Sequence, residues 1–169
     1  MKTRGETPAD ATAIRDVHRA AFETAAEAEL VDALRNRAAP IISFVADDSG
    51  SIVGHILFSP VMLAGDAEAK IMGLAPMAVL PPRQRTGIGS ALVREGLDAC
   101  RQLGADGVVV PGHATYYPRF AFQPASRFAL RCEYNVADDV FMALELRPAA
   151  FAEKSGMIRY HSACGEVRV

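Results

Sequence analysis

The stretch Met77-Ala78-Val79-Leu80-Pro81-Pro82-Arg83-Gln84-Arg85-Thr86-Gly87-Ile88-Gly89 contains, in order, an apolar run, a proline pair, a basic loop and two glycines. The prolines end the apolar run, which we predict to be a strand, because proline donates no hydrogen bond to a sheet. Apolar residues at helical spacing follow Gly87, and Gly104 is typical of a helix end. We therefore predict a strand, a loop and a helix, with Ile88, Leu92, Ala99 and Leu103 facing the core.

The loop and the start of this helix have the composition of a phosphate-binding site. Gly87 and Gly89 lack side chains, so a phosphate can approach the backbone closely. The first amides of a helix have no partner within it and carry the positive end of its dipole. Arg83 and Arg85 can add positive charge beside the same anion. The segment thus predicts a pyrophosphate cradle, although glycines at a helix start also occur for purely structural reasons.

The same residues do not form a dinucleotide-binding fingerprint. That motif requires glycine where this chain has Gln84 and Leu92, and an acidic residue at the end of a following strand. None of these is present, so we do not interpret the segment as a dinucleotide site.

The rest of the chain alternates predicted helices and strands. A helix is predicted from Thr7-Pro8 to Ala21 and a second one across residues 25–37. Three strands, at 41–46, 52–63 and 69–80, are expected to form an antiparallel meander. The apolar run Val108 to Val110 predicts a central buried strand, and further strands are predicted at 127–133 and 140–146.

Composition excludes several other classes of protein. The 169 residues fit a single domain, 1–169, in which residues 148–169 form a C-terminal extension packed on the body. A net charge of −2 without a long basic block argues against a nucleic-acid partner. The start of the chain has no secretory signal and no apolar run could cross a membrane, so we expect a cytoplasmic protein. Its three cysteines form no C-x-x-C pair, which predicts neither a disulfide framework nor a zinc site.

The segment Gln84-Arg85-Thr86-Gly87-Ile88-Gly89 resembles the signature loop Q/R-x-x-G-x-G/A of the GNAT superfamily of acyl-CoA N-acyltransferases. The order of predicted elements is similar over most of the chain, and the stretch from Gly112 to Phe122 resembles the family's Y-x-x-x-G-F segment. The tail resembles an extension of an uncharacterised bacterial subgroup. This resemblance implies an α/β (α+β) fold with a central mixed, mostly antiparallel sheet, flanked by helices and splayed in a V between strands 4 and 5.

The resemblance also implies a role for individual residues. The backbone N–H of Met77 would bind the acetyl carbonyl, and the backbone of Val79 would pair with the pantetheine arm. Tyr117 matches the tyrosine that protonates the departing thiolate, and Ala121 stands where the family usually has glycine. No carboxylate lies beside Met77, where some members carry a general base. The implied cofactor-binding set is Met77, Ala78, Val79, Gln84, Arg85, Thr86, Gly87, Ile88, Gly89 and Ser90.

The implied function is transfer of an acetyl group from acetyl-CoA to a primary amine of a small molecule, peptide or protein. The amine attacks directly, through a tetrahedral intermediate whose negative charge a strand amide stabilises, and no metal is required. The alternative is a non-catalytic acyl-CoA-binding sensor. Many members of the family are dimers, so the resemblance also allows a homodimer.

Several polar residues have both a functional and a structural interpretation. Tyr117 is either the acid or a packed aromatic, and we expect Tyr116 to be a core residue. His113 is placed to accept the proton of the amine or to make a structural hydrogen bond, whereas a structural role is favoured for His55. Glu23, Glu27 and Glu29 lie near the junction of the first two helices, where they would contact an acceptor or form a solvated surface.

Overall fold

The computed structural model describes residues 1–166 and contains one sheet with helices on both faces. The sheet is built from short and long strands: β1 (Lys2–Gly5), β2 (Ile42–Asp48), β3 (Ser51–Leu63), β4 (Asp66–Val79), β5 (Gly107–Pro111), β6 (Gln123–Pro124), β7 (Leu130–Cys132), β8 (Phe141–Glu145) and β9 (Gly156–Arg159). The helices are α1 (Ala11–Ala21), α2 (Ala26–Arg37), α3 (Ile88–Leu103) and α4 (Ser162–Glu166). None of the helices within residues 1–166 is long and apolar enough to cross a membrane.

The strand order of the sheet is β1-β2-β3-β4-β5-β8-β6, and β9 pairs with both β3 and β7. Strands β1 to β4 form an antiparallel meander, whereas β4 and β5 run parallel. The parallel pairing joins only Ile71–Gly73 to Gly107–Val109. Beyond Gly73 the two strands separate, so the sheet is splayed at this point. The predicted mixed sheet with a splay between strands 4 and 5 is therefore confirmed.

The two faces of the sheet carry separate cores because side chains alternate along each strand. Met72 and Leu74 of β4 pack with α3, whose buried stripe includes Leu92 and Cys100. Ile71 points to the opposite face, which is covered by α1, α2 and the tail. As a result, α3 lies on one side of the splay, and α1 and α2 lie on the other side.

Residues after Pro148 contact the side of the sheet that faces away from α3. Phe151 and Ile158 are buried, and β9 pairs with Met62 and Leu63 at the end of β3. The short helix α4 contacts α2, where Arg37 forms an ion pair with Glu166. Residues 167–169 of the predicted extension lie outside the described range.

Two predictions about local structure are wrong, and one strand was not predicted. Leu103 is 44% exposed, because the inward stripe of α3 ends at Cys100, one turn before the Gly104 cap. The predicted strand 127–133 begins as a single helical turn, Ala125–Phe128, and only Leu130–Cys132 is extended. Strand β1 was not predicted, since four residues with no apolar alternation give no periodic signal.

Candidate functional site

A groove of about 1490 Å³ runs through the splay between β4 and β5. That volume exceeds the roughly 300–1,000 Å³ of a pocket for one small ligand, which leaves room for two substrates. The groove lies among α1, α2, β4, the start of α3, the turn after β5 and the tail. The lining residues are Ala21, Phe22, Glu27, Leu30, Leu74, Ala75, Pro76, Met77, Ala78, Val79, Gln84, Arg85, Gly87, Gly89, Ser90, Pro111, Gly112, His113, Tyr116, Tyr117, Arg119, Tyr134, Val136, Tyr160, Cys164 and Gly165.

The second half of β4 presents backbone groups to this groove. The N–H of Leu80 donates to Val53 O at 2.9 Å, so Leu80 bonds to β3. In an antiparallel pair the residues that bond to the neighbouring strand alternate, which makes Ala78 the next one. The N–H and C=O groups of Met77 and Val79 therefore point away from β3, toward the side that β5 has vacated.

A β-bulge precedes these two residues. Phe58 pairs with Leu74 and Ile56 pairs with Met77, so Ala75 and Pro76 of β4 stand opposite a single residue of β3. A bulge bends a strand and increases its twist. Proline also has no N–H to donate. The bulge accounts for the departure of β4 from β5 just before Met77.

The first turn of α3 has three free amides at the groove. Gly87 caps the helix with φ +92°, a conformation that favours glycine. The first bond within the helix runs from Ala91 N–H to Gly87 O at 3.0 Å. The N–H groups of Ile88, Gly89 and Ser90 consequently have no partner inside the helix, and the helix dipole places positive charge there. This is the anion-binding geometry that the sequence predicts.

The loop before α3 holds its predicted residues in different ways. Gln84 donates from Nε2 to Val79 O at 3.0 Å, and Arg85 lines the groove with φ +62°. Thr86 donates its hydroxyl to Arg83 O at 2.6 Å, away from the groove lining. Ile88 is 3% exposed, packs in the core and is not part of the groove lining.

Arg83 does not share the anion site expected for it beside Arg85. Its guanidinium pairs with Asp48 at 2.8 Å, across the turn between β2 and β3. Arg83 is absent from the groove lining, whereas Arg85 is part of it. The sequence could not show this pairing because Asp48 precedes Arg83 by several elements.

Tyr117 lies at the groove wall and is 6% exposed. Its ring packs edge-on against Tyr116 and Phe122, and a Cβ at Gly112 would meet the ring at 2.3 Å. Burial, and then the neighbouring Tyr116, raise the pKa of Tyr117 above its ordinary value. The hydroxyl therefore stays protonated at neutral pH and is available as a proton donor.

The prediction that Tyr116 is the core residue of the pair is wrong. It is half-buried, and its hydroxyl lies 3.4 Å from Ser90 Oγ, beside the first turn of α3. A Cβ at Gly89 would approach the same hydroxyl to 2.9 Å. A single helical turn begins at Tyr117 and sends the two adjacent rings in different directions.

His113 lines the groove on the arm that follows β5, and its side chain is exposed. Its backbone carbonyl accepts from Tyr116 N–H at 3.1 Å, which closes the turn ahead of the tyrosine pair. The groove thus brings His113 to the same wall as Tyr117.

The groove wall on the α1–α2 face contains Glu27, one of the three candidate glutamates, and two tyrosines that the sequence did not single out. Glu27 is 8% exposed, and its Oε2 has no hydrogen-bond partner among the described residues. Glu23 and Glu29, the other two candidates, are exposed and absent from the groove lining. Tyr160 and Tyr134 line the groove from the tail and the preceding loop, with their rings stacked at 5.8 Å. No spacing rule links these residues, so only the fold identifies them.

A buried polar network lies beneath α1. His18 Nε2 is 2.9 Å from His55 Nδ1, and His55 Nε2 is 2.8 Å from Ser43 Oγ and 3.3 Å from a Glu6 oxygen. Ser43 and Arg35 both donate to Glu6. Because a carboxylate only accepts, we assign the His55 proton to Nε2, so that Nδ1 accepts from His18. Neither histidine is in the groove lining, in agreement with the structural role predicted for His55.

The pKa values of this network follow from burial and hydrogen bonding. Burial lowers the pKa of His18 to about 3, with further contributions from His55 and Arg35. Burial also lowers the pKa of His55, although Glu6 acts in the opposite direction. Burial alone would raise the pKa of Glu6, but hydrogen bonds from His55, Arg35 and Ser43 lower it to about 2. Both histidines are therefore neutral and Glu6 is charged at neutral pH.

Among residues 1–166, no group of three or more His, Cys, Asp or Glu side chains is placed to bind a metal ion.

The family model described as the Acetyltransferase (GNAT) family matches residues 11–122, from α1 to the turn that carries Tyr117. The chain belongs to the GNAT family of acetyltransferases. The predictions of this family and of an acyltransferase are confirmed.

Curated members of the GNAT family resemble the chain over most of its length. The N-acetyltransferase YhbS of Escherichia coli K12 is 36% identical over 162 residues, which cover 95% of this chain and 96% of YhbS. The crystal structure of YhbS in complex with CoA has a TM-score of 0.91 and 34% identity, covering 97% of this chain and 91% of the YhbS chain. A GNAT acetyltransferase from Brucella melitensis, solved in complex with acetyl-CoA, has a TM-score of 0.79 and 39% identity, with 96% of each chain covered.

Proposed function

We propose that this GNAT-family chain, acting as one domain spanning residues 1–169, transfers an acetyl group from acetyl-CoA to a primary amine of a small molecule, peptide or protein. One observation carries the proposal. A single groove contains the free N–H groups of Met77 and Val79 on β4, the free amides at the start of α3 and the hydroxyl of Tyr117. Its two similar relatives from Escherichia coli and Brucella melitensis were solved with CoA and acetyl-CoA, respectively.

The start of α3 fits the pyrophosphate of acetyl-CoA. Three amides there lack partners within the helix, and a Cβ at Gly89 would reach toward Tyr116, so glycine keeps the approach to the backbone open. Arg85 adds a positive charge from the groove wall. Ser90 lies in the first turn of α3 and Thr86 in the loop before it. Because the Thr86 hydroxyl is bonded to Arg83 O, only the backbone of Thr86 would contact the pyrophosphate. Hydrogen bonds to phosphate are charge-assisted, so this turn is expected to supply much of the binding energy.

The free edge of β4 fits the pantetheine arm and the acetyl group. The cofactor supplies the acetyl group as an activated thioester. Val79 would hold the extended arm through its backbone N–H in the manner of an added strand. The backbone N–H of Met77 would donate to the acetyl oxygen and stabilise the negative charge that develops there during attack.

Proton transfer is assigned to the arm that follows β5. A tyrosine with its ordinary pKa of about 10 is already protonated at neutral pH, and burial raises the pKa of Tyr117 further. We propose, from its place on the groove wall, that the Tyr117 hydroxyl protonates the departing sulfur. His113 is exposed on the same wall, and we propose that it accepts the proton of the attacking amine, directly or through water. We also propose that the enzyme acts in the cytoplasm. We further propose that it forms a homodimer, and sedimentation of the purified protein would test this oligomeric state.

The test separates cofactor binding from catalysis. Acetyl-CoA at a hundredfold excess over its Kd should stabilise the folded protein by about 2.7 kcal/mol and raise its Tm. NAD, which has a pyrophosphate but no pantetheine arm, serves as the control ligand and should give a much smaller shift. Thiol release with a panel of primary amines then reports turnover. A folded protein with no shift would contradict the cofactor assignment, whereas a shift without turnover on any amine would support the sensor.

A further inference from the structure

Two buried polar atoms without a partner lie in the groove wall opposite α3. Glu27 Oε2, on the first turn of α2, and the Tyr160 hydroxyl, in the tail, make no hydrogen bond within the described part of the chain. Both residues line the groove. Because buried polar groups are nearly always hydrogen-bonded, an unpaired carboxylate oxygen and an unpaired hydroxyl in one cavity indicate a missing ligand. Burial also raises the pKa of Tyr160 well above its ordinary value, so its hydroxyl remains neutral.

The charges around the groove limit what this ligand can be. Glu27 is the only acidic residue among the described groove-lining residues. The two lining arginines lie on the cofactor side: Arg85 precedes α3, and Arg119 stacks on Tyr116 with its guanidinium 4.3 Å from the ring centre. A positive group is therefore favoured at Glu27, and a carboxylate or phosphate there would meet an unpaired negative charge.

Aromatic side chains that line the same groove as Glu27 suit the body of such a ligand. Phe22 lines the groove at the end of α1, and Tyr134 stacks on Tyr160. These rings offer apolar surface to a methylene chain and a negative face to a cation. The combination fits a flexible amine whose charged end reaches past the rings to a carboxylate.

The position of Tyr160 shows that the charged end of this ligand is a different group from the amine that reacts. Its ring lies 3.1 Å from where a Cβ at Gly73 would be, at the point where β4 leaves β5. Met77 is four residues further along β4, on the far side of the bulge at Ala75 and Pro76. A group bound at Tyr160 is therefore distinct from the nitrogen that attacks beside Met77.

We propose that Glu27 and Tyr160 bind a second, protonated amino group of the acceptor, which is then a small di- or oligoamine without an anionic group. This inference rests on the proposed function, because it extends the acceptor side of the same groove. Glu27 accepts N–H donors from the second ammonium group. Tyr160 accepts one of the remaining donors or orients a bound water. The tail thus takes part in substrate selection.

Three amines of matched length test the charge preference: cadaverine, pentylamine and δ-aminovalerate, whose far ends are positive, neutral and negative. Binding is measured by calorimetry on the protein saturated with CoA, which requires no turnover. The wild type should bind cadaverine more tightly than pentylamine by about 10- to 100-fold, the range of a hydrogen bond to a charged group, and δ-aminovalerate least. Equal affinity for all three amines would overturn the proposal.

Glu27→Gln should remove most of the preference for cadaverine over pentylamine, because only cadaverine can place one amino group at Glu27 and the other at the reacting position. Glu29→Gln is the matched control, because Glu29 is exposed on the same helix and should behave as the wild type. Where turnover is measurable, Glu27→Gln should raise KM for cadaverine with kcat retained. A fall in kcat for all amines with unchanged KM would overturn the proposal, because Glu27 would then act on the reacting amine.

Tyr160→Phe gives an independent readout. Removing an unpartnered buried hydroxyl should raise the Tm of the free protein, whereas cadaverine affinity should fall by about 2- to 10-fold. Unchanged cadaverine affinity would overturn the two-residue site. The rise of Tm with acetyl-CoA does not depend on Glu27 or Tyr160. A wild-type protein whose Tm rises with acetyl-CoA but which shows no preference for cadaverine would therefore reject this inference and leave the proposed function intact.

Discussion

Adjacent tyrosines in this groove have different environments. Tyr117 is nearly buried, while Tyr116 is half-buried and reaches Ser90 at the start of α3. A single helical turn begins at Tyr117, directly after Tyr116, and is closed by Ala121, which has φ +72°. That conformation favours glycine, which gives a physical reason for the family's usual glycine at this position. The difference in burial provides a matched pair for testing the proposed acid.

Tyr117→Phe should lower turnover with little change in CoA affinity. The substitution keeps the ring and its packing but removes the proton that we assign to the departing sulfur. A positioned acid typically contributes about 10²- to 10⁴-fold to the rate. Thiol release with an accepted amine gives turnover, and calorimetry with CoA gives affinity.

Tyr116→Phe is the control for this experiment, since its hydroxyl faces Ser90 rather than the proposed sulfur position. It should retain turnover close to that of the wild type. If both variants turn over normally, Tyr117 is a packing residue and the acid lies elsewhere. If Tyr117→Phe loses CoA affinity together with turnover, the hydroxyl contributes to cofactor binding, which contradicts the proposed role.

At the scale of a single element, the first turn of α3 explains why the loop sequence is informative. The left-handed Gly87 and the small Gly89 expose three amides, and the loop residues Gln84 and Thr86 are tied by their own side chains to nearby carbonyls. The loop is therefore held by contacts with β4 and within itself, just before the start of α3. Its geometry depends on local residues, so we expect it to be sensitive to a side chain at Gly89.

Gly89→Val should weaken CoA binding by about 10- to 100-fold, which corresponds to the loss of one charge-assisted hydrogen bond. The added side chain would push against the Tyr116 hydroxyl and cover the amides of the turn. Ala91→Val places the same side chain in the same helix outside the groove lining and should keep its affinity. Wild-type affinity in Gly89→Val would mean that the phosphates bind elsewhere.

At the scale of the whole molecule, the His18 network connects parts of the chain that are distant in sequence. Glu6 follows β1, Ser43 lies in β2, His55 lies in β3, and His18 and Arg35 belong to α1 and α2. The network therefore forms only when all these elements are packed together. Its protonation states link the stability of the fold to pH.

Lowering the pH from about 7 to about 5 should reduce the free energy of unfolding, with about 2 kcal/mol coming from His18 alone. An unfolded histidine has its ordinary pKa of 6.5, whereas the pKa of His18 in the folded protein is about 3. Between these values the unfolded state binds the additional proton, so acid favours unfolding. Glu6, with a folded pKa of about 2 and an ordinary value of 4.5, loses its contribution only at lower pH.

Urea unfolding at the two pH values measures this slope, and His18→Gln isolates it. Glutamine can still donate from Nε2 toward His55 but does not titrate. The variant should therefore show a shallower loss of stability on acidification, whatever its stability at neutral pH. The same slope in the variant and the wild type would show that His18 does not carry the effect.

The amino-acid sequence was sufficient to predict the family, the meander, and the strand, loop and helix start between Met77 and Gly89. These features are local: prolines end a strand, glycines open a helix, and hydrophobic periodicity follows the geometry of a single element. The cradle needs only neighbouring residues, which is why the loop sequence predicts it. The short strand β1 and the turn before β7 were missed, because three or four residues carry too little periodicity.

The packing of distant elements shows that Glu27, rather than Glu23 or Glu29, faces the groove, and that Tyr160 of the tail and Tyr134 of the loop after β7 line it as well. It also decided that Arg83 is bound to Asp48 and that His18, His55 and Glu6 form one network. These relations join residues from separate elements, and burial depends on what packs against a side chain rather than on its neighbours in sequence. The acceptor side of the groove is assembled from such relations, whereas the cofactor side is encoded in one continuous segment.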